Sequence, residues 1–344
     1  MKVSDYTYEL PEGRIALHPP KVRGTSRLLV LNKQTGEIEH RKYTNLVDYL
    51  QPSDVVVLND TKVIKARLIA KNSKGQTREL LLLEDHHNTN FTRRKTIYRG
   101  KIHDGETLDV NGTKIVVEKV MDGGIAEISS SHNILELAEH VGSVPLPPYM
   151  HRNATKEDIE RYQTVFAKEP GSVAAPTASL NFTKELEEKL LAKGIQIAYL
   201  TLHVGLGTFL PIRSDEIEGH TMHSEYFEVP AETIEIINKA KLNSNKIVAI
   251  GTTVTRTLEF CADKIMSTEL HPNQPLNGEA NIFIYPGYKF KLVDHMLTNF
   301  HAPKSTVLMM AAAFAGWDNL LKAYEIAIEE DYSFLSYGDS ILII

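Results

Sequence analysis

Cysteine is nearly missing from this chain. Cys261 is the only one in 344 residues, so no intrachain disulfide can form. Together with the lack of an apolar leader between Met1 and Arg14, this predicts a protein of the reducing cytoplasm. Long apolar runs are missing too: the strongest, Val307 to Trp317, is about half of the roughly 20 residues a membrane span needs. It is expected to be a buried helix. Neither a Walker loop nor a Gly-x-Gly-x-x-Gly turn is found at the strand ends, and Gly-x-Ser-x-Gly is absent. Cys261 has no histidine near it in sequence, so covalent hydrolysis is disfavoured. No internal repeat or low-complexity stretch is present, and 42% hydrophobic with 24% charged residues excludes disorder, collagen and coiled coil.

Charge is present but uneven. The chain has 38 Lys+Arg against 44 Asp+Glu, a net −6. Residues 61–120 hold 13 of the basic and 7 of the acidic residues, a local +6 that leaves −12 elsewhere. The centre of the basic segment is Arg93-Arg94-Lys95, followed by Arg99 and Lys101. Such a run is either a solvated strand face or a phosphate-contacting surface.

Pattern along the chain predicts an α/β fold: a layered α/β main domain with an inserted small all-β, barrel-like domain. The main domain is expected over 1–62 and 146–344, and the basic insert over 63–145. Asp54–Leu58 is a β-branched apolar run suited to a strand buried on both faces. From Val63 to Val120 short β-type runs are punctuated by glycines. After Pro145-Leu146-Pro147-Pro148 the period becomes helical. Thr155 and Asp158 form a capping-box pattern leading a stripe through Ile159, Tyr162, Val165 and Phe166. A helix from Thr183, a strand over Ile195–His203, a helix over Ala231–Leu242 and the strand Lys246–Ile250 follow. The last elements are a helix over Val254–Ala262, a strand over Asn281–Tyr285, helices at Ser305–Ala315 and Trp317–Glu329, and a strand at Ile341–Ile344.

Several strand-to-helix junctions carry polar groups. Gly251-Thr252-Thr253 with Arg256 opens a helix, where free backbone N–H groups favour a carboxylate or phosphate; an ordinary capped connection reads equally well. His203-Val204-Gly205-Leu206-Gly207-Thr208 combines a titratable ring with glycines that permit close backbone approach, or is a simple tight turn. His220 and His223 are spaced to share a helical face, but no third metal ligand is identifiable. No metal is expected; His223 with Glu225 suits acid–base or substrate work better. Asn299, His301 and Ser305 precede an apolar helix, a favourable place for a small molecule.

These segments, in order, resemble the S-adenosylmethionine:tRNA ribosyltransferase-isomerases of queuosine biosynthesis (the QueA family). The resemblance is carried by Ser26-Arg27-Leu28, Leu58-Asn59-Asp60-Thr61, Ala66-Arg67-Leu68, Glu160–Thr164, Gly171–Ala178, Thr201–Phe209, Met222–Glu225, Gly251–Arg256, Thr298–His301, Pro303–Thr306 and Ser336–Asp339. It implies that S-adenosylmethionine is consumed as a ribosyl donor, with no tightly bound cofactor. The implied acceptor is 7-aminomethyl-7-deazaguanine at the wobble position of tRNAs with GUN-type anticodons; a cytoplasmic monomer with no membrane partner is expected. It further implies catalytic roles for His203, His223 and Glu225. Substrate contacts are implied for Asn59, Asp60, Arg67, Pro176, Thr177, Asn181, Gly205, Gly207, Thr208, Thr252, Thr253, Arg256, Asn299, His301, Ser305, Tyr337 and Asp339. RNA contacts are implied for Arg93, Arg94, Lys95, Arg99 and Lys101.

Two departures from the family pattern bear on function. Asn181 stands where a histidine is usual, and asparagine cannot shuttle a proton near neutrality. Ala302 replaces a larger apolar residue. A divergent, catalytically impaired paralogue that binds tRNA or S-adenosylmethionine is therefore an alternative, and methyl transfer is a third reading.

Overall fold

The computed structural model describes residues 1–84, 90–205, 212, 214–267 and 274–344. The chain opens with the antiparallel pair β1 (Arg27–Leu31) and β2 (Ile38–Lys42), then β3 (Val55–Asn59) and a short β4 (Thr61–Val63). Six strands follow: β5 (Arg67–Lys71), β6 (Thr77–Leu82), β7 (Arg93–Arg99), β8 (Thr107–Val110), β9 (Thr113–Met121) and β10 (Ile125–Ser130). They close an antiparallel barrel in the order β10-β7-β6-β5-β8-β9. Alternate residues such as Leu68, Ala70, Leu80, Leu82, Ile115 and Val117 fill its interior, joined by Ile134 and Ala138 of α1 (Ile134–Val141).

The rest of the chain completes a nine-stranded sheet. Its elements are α2 (Lys156–Arg161), β11 (Glu169–Ser172), α3 (Lys184–Ala192), β12 (Gln196–Leu202), β13 (Glu225–Val229), α4 (Ala231–Leu242), β14 (Ile247–Ile250) and α5 (Thr252–Ile265). β15 (Leu276–Ala280), β16 (His295–Asn299), α6 (Thr306–Ala315), α7 (Trp317–Glu329) and β17 (Ser340–Ile343) follow. The strand order is β15-β13-β12-β3-β14-β16-β17-β1-β2, and β12, β3, β14 and β16 run parallel at its centre. Period-two alternation sorts the side chains into layers. Val55, Val57, Leu200 and Ala249 pack with α4–α7, while Val56, Leu58, Val248 and Ile250 pack with α3 and the turn Tyr43–Tyr49. Every residue of β3 is buried, as its unbroken Val/Leu run requires.

Three expected elements differ. The stripe after Thr155 stops being helical at Arg161: the capping box is formed, but Tyr162 leaves the helix (ψ 35°) and Gln163 hydrogen-bonds both backbone groups of Val63. Asn281–Tyr285 is not a strand; the edge pairing with β13 is made by Leu276–Ala280, and the segment beyond it turns inward to bury Ile284. His220 and His223 lie on irregular chain leading into β13, so no helical face brings their rings together.

Burial also sets a pH response. It pushes His301 down to about 3 and His295 down to about 4, the latter helped by nearby Lys33. Both folded values lie below the unfolded value near 6.5. As pH falls below about 6.5 the unfolded chain takes up protons that the folded chain refuses, so stability is full above that pH and is lost on acidification. Each ring could contribute up to about 1.4 kcal/mol per pH unit. One edge of His301 faces a cavity, so we expect a combined slope of about 1–2 kcal/mol per unit between pH 6 and 4.5. Urea unfolding across that range checks it, and His301→Asn should flatten the slope.

Candidate active site

A cavity of about 590 Å³ lies where the central parallel strands end. β14 runs into Gly251-Thr252-Thr253, β16 into Asn299 to Ser305, and β12 into Val204; all three junctions line the cavity. The start of α5 and the start of α6 both face it through Thr252, Thr253, Ser305 and Thr306. Each helix start leaves backbone N–H groups without intrahelical partners and carries the positive end of the helix dipole, so two such ends on one wall favour an anion. Lys304, exposed on the same wall, adds a full charge.

Local sequence explains these junctions. Gly251 has φ +99°, and a Cβ there would meet the Ala178 Cβ at 3.4 Å, so glycine suits the sharp turn from strand to helix. Ser305 caps α6 by accepting from the Leu308 N–H at 3.2 Å. Thr177 donates to Asn299 Oδ1 at 2.8 Å, tying the segment after β11 to the end of β16. His301 Nε2 is 2.9 Å from Thr298 Oγ1, and burial keeps its ring neutral.

Of the residues singled out from sequence, Pro176, Thr177, Thr252, Thr253, Asn299, His301 and Ser305 line this cavity. Others do not. Asn59 is fully buried and clamps strands: it donates to Leu202 O at 2.9 Å and accepts from the N–H groups of Leu202 and Thr61 at 3.1 Å. Asp60 accepts from Thr201 Oγ1 at 2.6 Å, and burial raises its carboxyl above the usual range. Arg67 belongs to the barrel and pairs with Glu79 at 3.2 Å. Asp339 accepts from the N–H groups of Arg27 (2.6 Å) and Ser333 (2.8 Å), holding a loop. The Tyr337 hydroxyl donates to Asp158 at 2.7 Å. Asn181 is buried outside the cavity wall, with its backbone oxygen packed near Gly24. Gly207 and Thr208 lie outside the described residues.

The expected anion site at Arg256 needs correction. Arg256 and Glu225 form an ion pair, with their side chains 8% and 2% exposed, and Glu225 Oε1 also accepts from the Gly205 N–H at 2.8 Å. Burial lowers Arg256 to about 10, which leaves it a cation at neutral pH. Glu225 thus pairs with Arg256 and with the start of the glycine loop. His203 is buried; its Nδ1 is 2.7 Å from Thr61 Oγ1 and its ring stacks on Tyr226, one residue before the cavity-lining Val204. His223 is exposed and off the cavity wall.

The basic run is also sorted by strand period. Arg93, Lys95 and Arg99 face outward on β7, whereas Arg94 and Thr96 are buried. Arg94 is therefore no part of an outer cationic face. Arg93 lies 3.8 Å from both Glu118 and Glu127, so acids interleave with the outward cations.

Tyr149, Tyr162, Ala175, Lys304 and Ser336 also line the cavity, although their residue types alone do not mark them as site residues. Tyr149 and Tyr162 are brought in by the segment after the barrel, and only the motif block Glu160–Thr164 around Tyr162 hints at it. Ala302 lines the cavity as well. Among the described residues no group of three or more His, Cys, Asp or Glu side chains is placed to hold a metal ion, and no helix is long and apolar enough to cross a membrane.

The family model described as queuosine biosynthesis protein matches residues 3–343. The chain belongs to this family. It is 51% identical over 344 residues to the S-adenosylmethionine:tRNA ribosyltransferase-isomerase of Chlorobaculum parvum, with all of both chains covered. It is 50% identical over 345 residues to the enzyme of that name from Pelodictyon phaeoclathratiforme, again with full coverage. The crystal structure of the S-adenosylmethionine tRNA ribosyltransferase of Thermotoga maritima matches with a TM-score of 0.56 and 34% identity, over 99% of this chain and 100% of that one. The mixed α/β architecture with its inserted barrel is thus a queuosine-family fold.

Proposed function

We propose that this queuosine-family protein transfers and isomerises the ribosyl group of S-adenosylmethionine onto 7-aminomethyl-7-deazaguanine at the tRNA wobble position. The products are epoxyqueuosine in tRNA, adenine and methionine. The observation that carries this reading is membership of the family along residues 3–343. The donor's sulfonium acidifies the adjacent ribose 5′ hydrogens. A base removes one to give an ylide, the ribose–adenine bond breaks, the acceptor amine attacks the anomeric carbon, and ring rearrangement to the epoxide expels methionine.

The chain's own groups fit parts of this path. The N-termini of α5 and α6, with Lys304, suit the methionine carboxylate. Neutral His301 offers a hydrogen bond to departing adenine. His203 is the acid–base candidate, because Thr61 fixes its Nδ1 and its neighbour Val204 lines the cavity. S-adenosylmethionine is a consumed co-substrate in this reading, with no tightly bound cofactor, and the protein works as a cytoplasmic monomer. Adenine release from S-adenosylmethionine that depends on tRNA bearing the deazaguanine base tests the reaction.

In the same reading the chain divides into a catalytic domain over 1–62 and 146–344 and an RNA-contacting barrel over 63–145. Arg93, Lys95, Arg99 and Lys101 are the groups that meet phosphate. Neutralising Arg93, Lys95 and Arg99 is expected to weaken tRNA binding and to reduce the slope of log affinity against log salt by about 0.7–0.9 for each phosphate no longer neutralised. An unchanged slope places the RNA elsewhere.

A further inference from the structure

A second, smaller recess of about 20 Å³ adjoins the cavity. Thr252 and Thr253 at the start of α5 and Thr306 and Val307 at the start of α6 line both spaces. The two therefore meet at the wall proposed for the methionine carboxylate. Away from those helix starts the lining of the recess is apolar: Met222, Ile282, Phe283, Ile284 and Met310. Arg256 also reaches it, with its charge matched by Glu225. The contacts proposed so far for adenine and for the carboxylate make no use of this space.

The recess has fixed walls. Residues 282–284 do not continue the sheet; they turn inward and supply one side of it. The Phe283 ring packs edge-on against His220 at 5.1 Å and tilted against Tyr285 at 5.2 Å, and Met310 is buried on α6. Size and chemistry then narrow the occupant. Roughly 10–15 Å³ of such space already holds one water, so this recess takes a single small group, and an apolar lining disfavours water. An aromatic ring and polarisable thioethers favour a methyl group that carries positive charge, as one bonded to a sulfonium does.

We propose that this recess is the S-alkyl subsite of the donor: with the carboxylate at the starts of α5 and α6, the sulfonium methyl seats among Met222, Phe283, Ile284 and Met310, and longer alkyl groups are excluded. The proposal rests on the reading that S-adenosylmethionine is the ribosyl donor. It also bears on which group is transferred. A nucleophile displaces the methyl from sulfur along the extension of the S–C bond, and inside the recess that line ends on apolar side chains. The tRNA amine is thereby kept from the methyl carbon while the ribose stays open to the main cavity.

Calorimetry on the full-length protein compares S-adenosylmethionine with its S-ethyl homologue, S-adenosylethionine, which keeps the charge, the purine and the carboxylate. Both are titrated in the presence of tRNA with guanine at the wobble position, which supplies the RNA and withholds the acceptor amine. The S-ethyl donor is expected to bind about 10–200-fold more weakly, the range for one excess methylene in a fitted apolar site. Met222→Ala, on irregular chain ahead of β13, and Met310→Ala, on α6, each enlarge the recess and are expected to bring the two affinities toward equality. The ratio is taken within each variant, so a general loss of stability cancels. Equal binding of the two donors by wild type overturns the proposal, and so does a preference for methyl that neither variant reduces. Adenine release with the deazaguanine tRNA tests the reaction separately. No release by a protein that discriminates the donors strikes the reaction and leaves the recess, whereas release with equal donor binding strikes the recess alone.

Discussion

Glu225→Gln is expected to lower the folding stability of this protein by about 3–5 kcal/mol, the cost of leaving a buried charge without its partner. Arg256 sits on α5 with its side chain 8% exposed and remains cationic at neutral pH, so the substitution strands a guanidinium in the interior. Glutamine keeps an oxygen able to accept from the Gly205 N–H, so the charge is the main change. Urea unfolding measures the loss. Adding Arg256→Met should restore most of it, because removing both charges leaves nothing to compensate. A single variant within about 1 kcal/mol of wild type would show that the pair does not hold β13 and α5 together. The same pairing explains why two residues that look like ligand groups in sequence are committed to each other in the fold.

The second large effect is on the substrate. Thr252→Asp is expected to lower kcat/KM for S-adenosylmethionine about 100-fold, since a carboxylate at the start of α5 occupies and repels the anion that the two helix N-termini would hold; like charges brought together cost several kcal/mol. The fold should not suffer. An acidic residue in the first turn favours the helix by about 0.3–1 kcal/mol, so the melting temperature is expected to stay level or rise. Thr252→Asn, similar in shape and neutral, should keep most of the activity. An active Thr252→Asp enzyme would move the methionine carboxylate away from this wall.

Much of this fold is readable from the chain. α4 and α7 have the predicted bounds because their apolar positions repeat at helical spacing between clear stops, and the glycine-punctuated β runs between Val63 and Val120 form the expected barrel. The barrel continues to Ser130 and is followed by α1. That helix has a readable signal, Asn133 capping the N–H groups of Leu135 and Glu136, but only two turns of pattern behind it. β16 escapes a sequence reading because His295-Met296-Leu297-Thr298-Asn299 has no clear alternation and Thr298 is its one β-branched residue; its polar end is there to build the cavity.

The site divides the same way. Gly251–Thr253 is readable because it joins a buried strand to a helix start, and Asn299–Ser305 because its polar groups immediately precede an apolar helix. The Glu225–Arg256 pairing and the aromatic cluster at Tyr149 and Tyr162 depend on tertiary contacts that no local pattern specifies. In β7 the direction of Arg94 follows from strand alternation with Thr96, a signal the clustered charge hides. Asn181, the departure that favours an impaired paralogue, is off the cavity wall, so its lack of proton chemistry has no direct bearing on that space.

The reaction is tested on its RNA product. The purified protein is incubated with S-adenosylmethionine and tRNA carrying 7-aminomethyl-7-deazaguanine, and the RNA is digested and analysed by mass spectrometry. The expected result is that the modified nucleoside is replaced by epoxyqueuosine, with one adenine and one methionine released for each. An unchanged nucleoside from folded protein that binds its ligands, or S-adenosylhomocysteine in place of adenine and methionine, would contradict it.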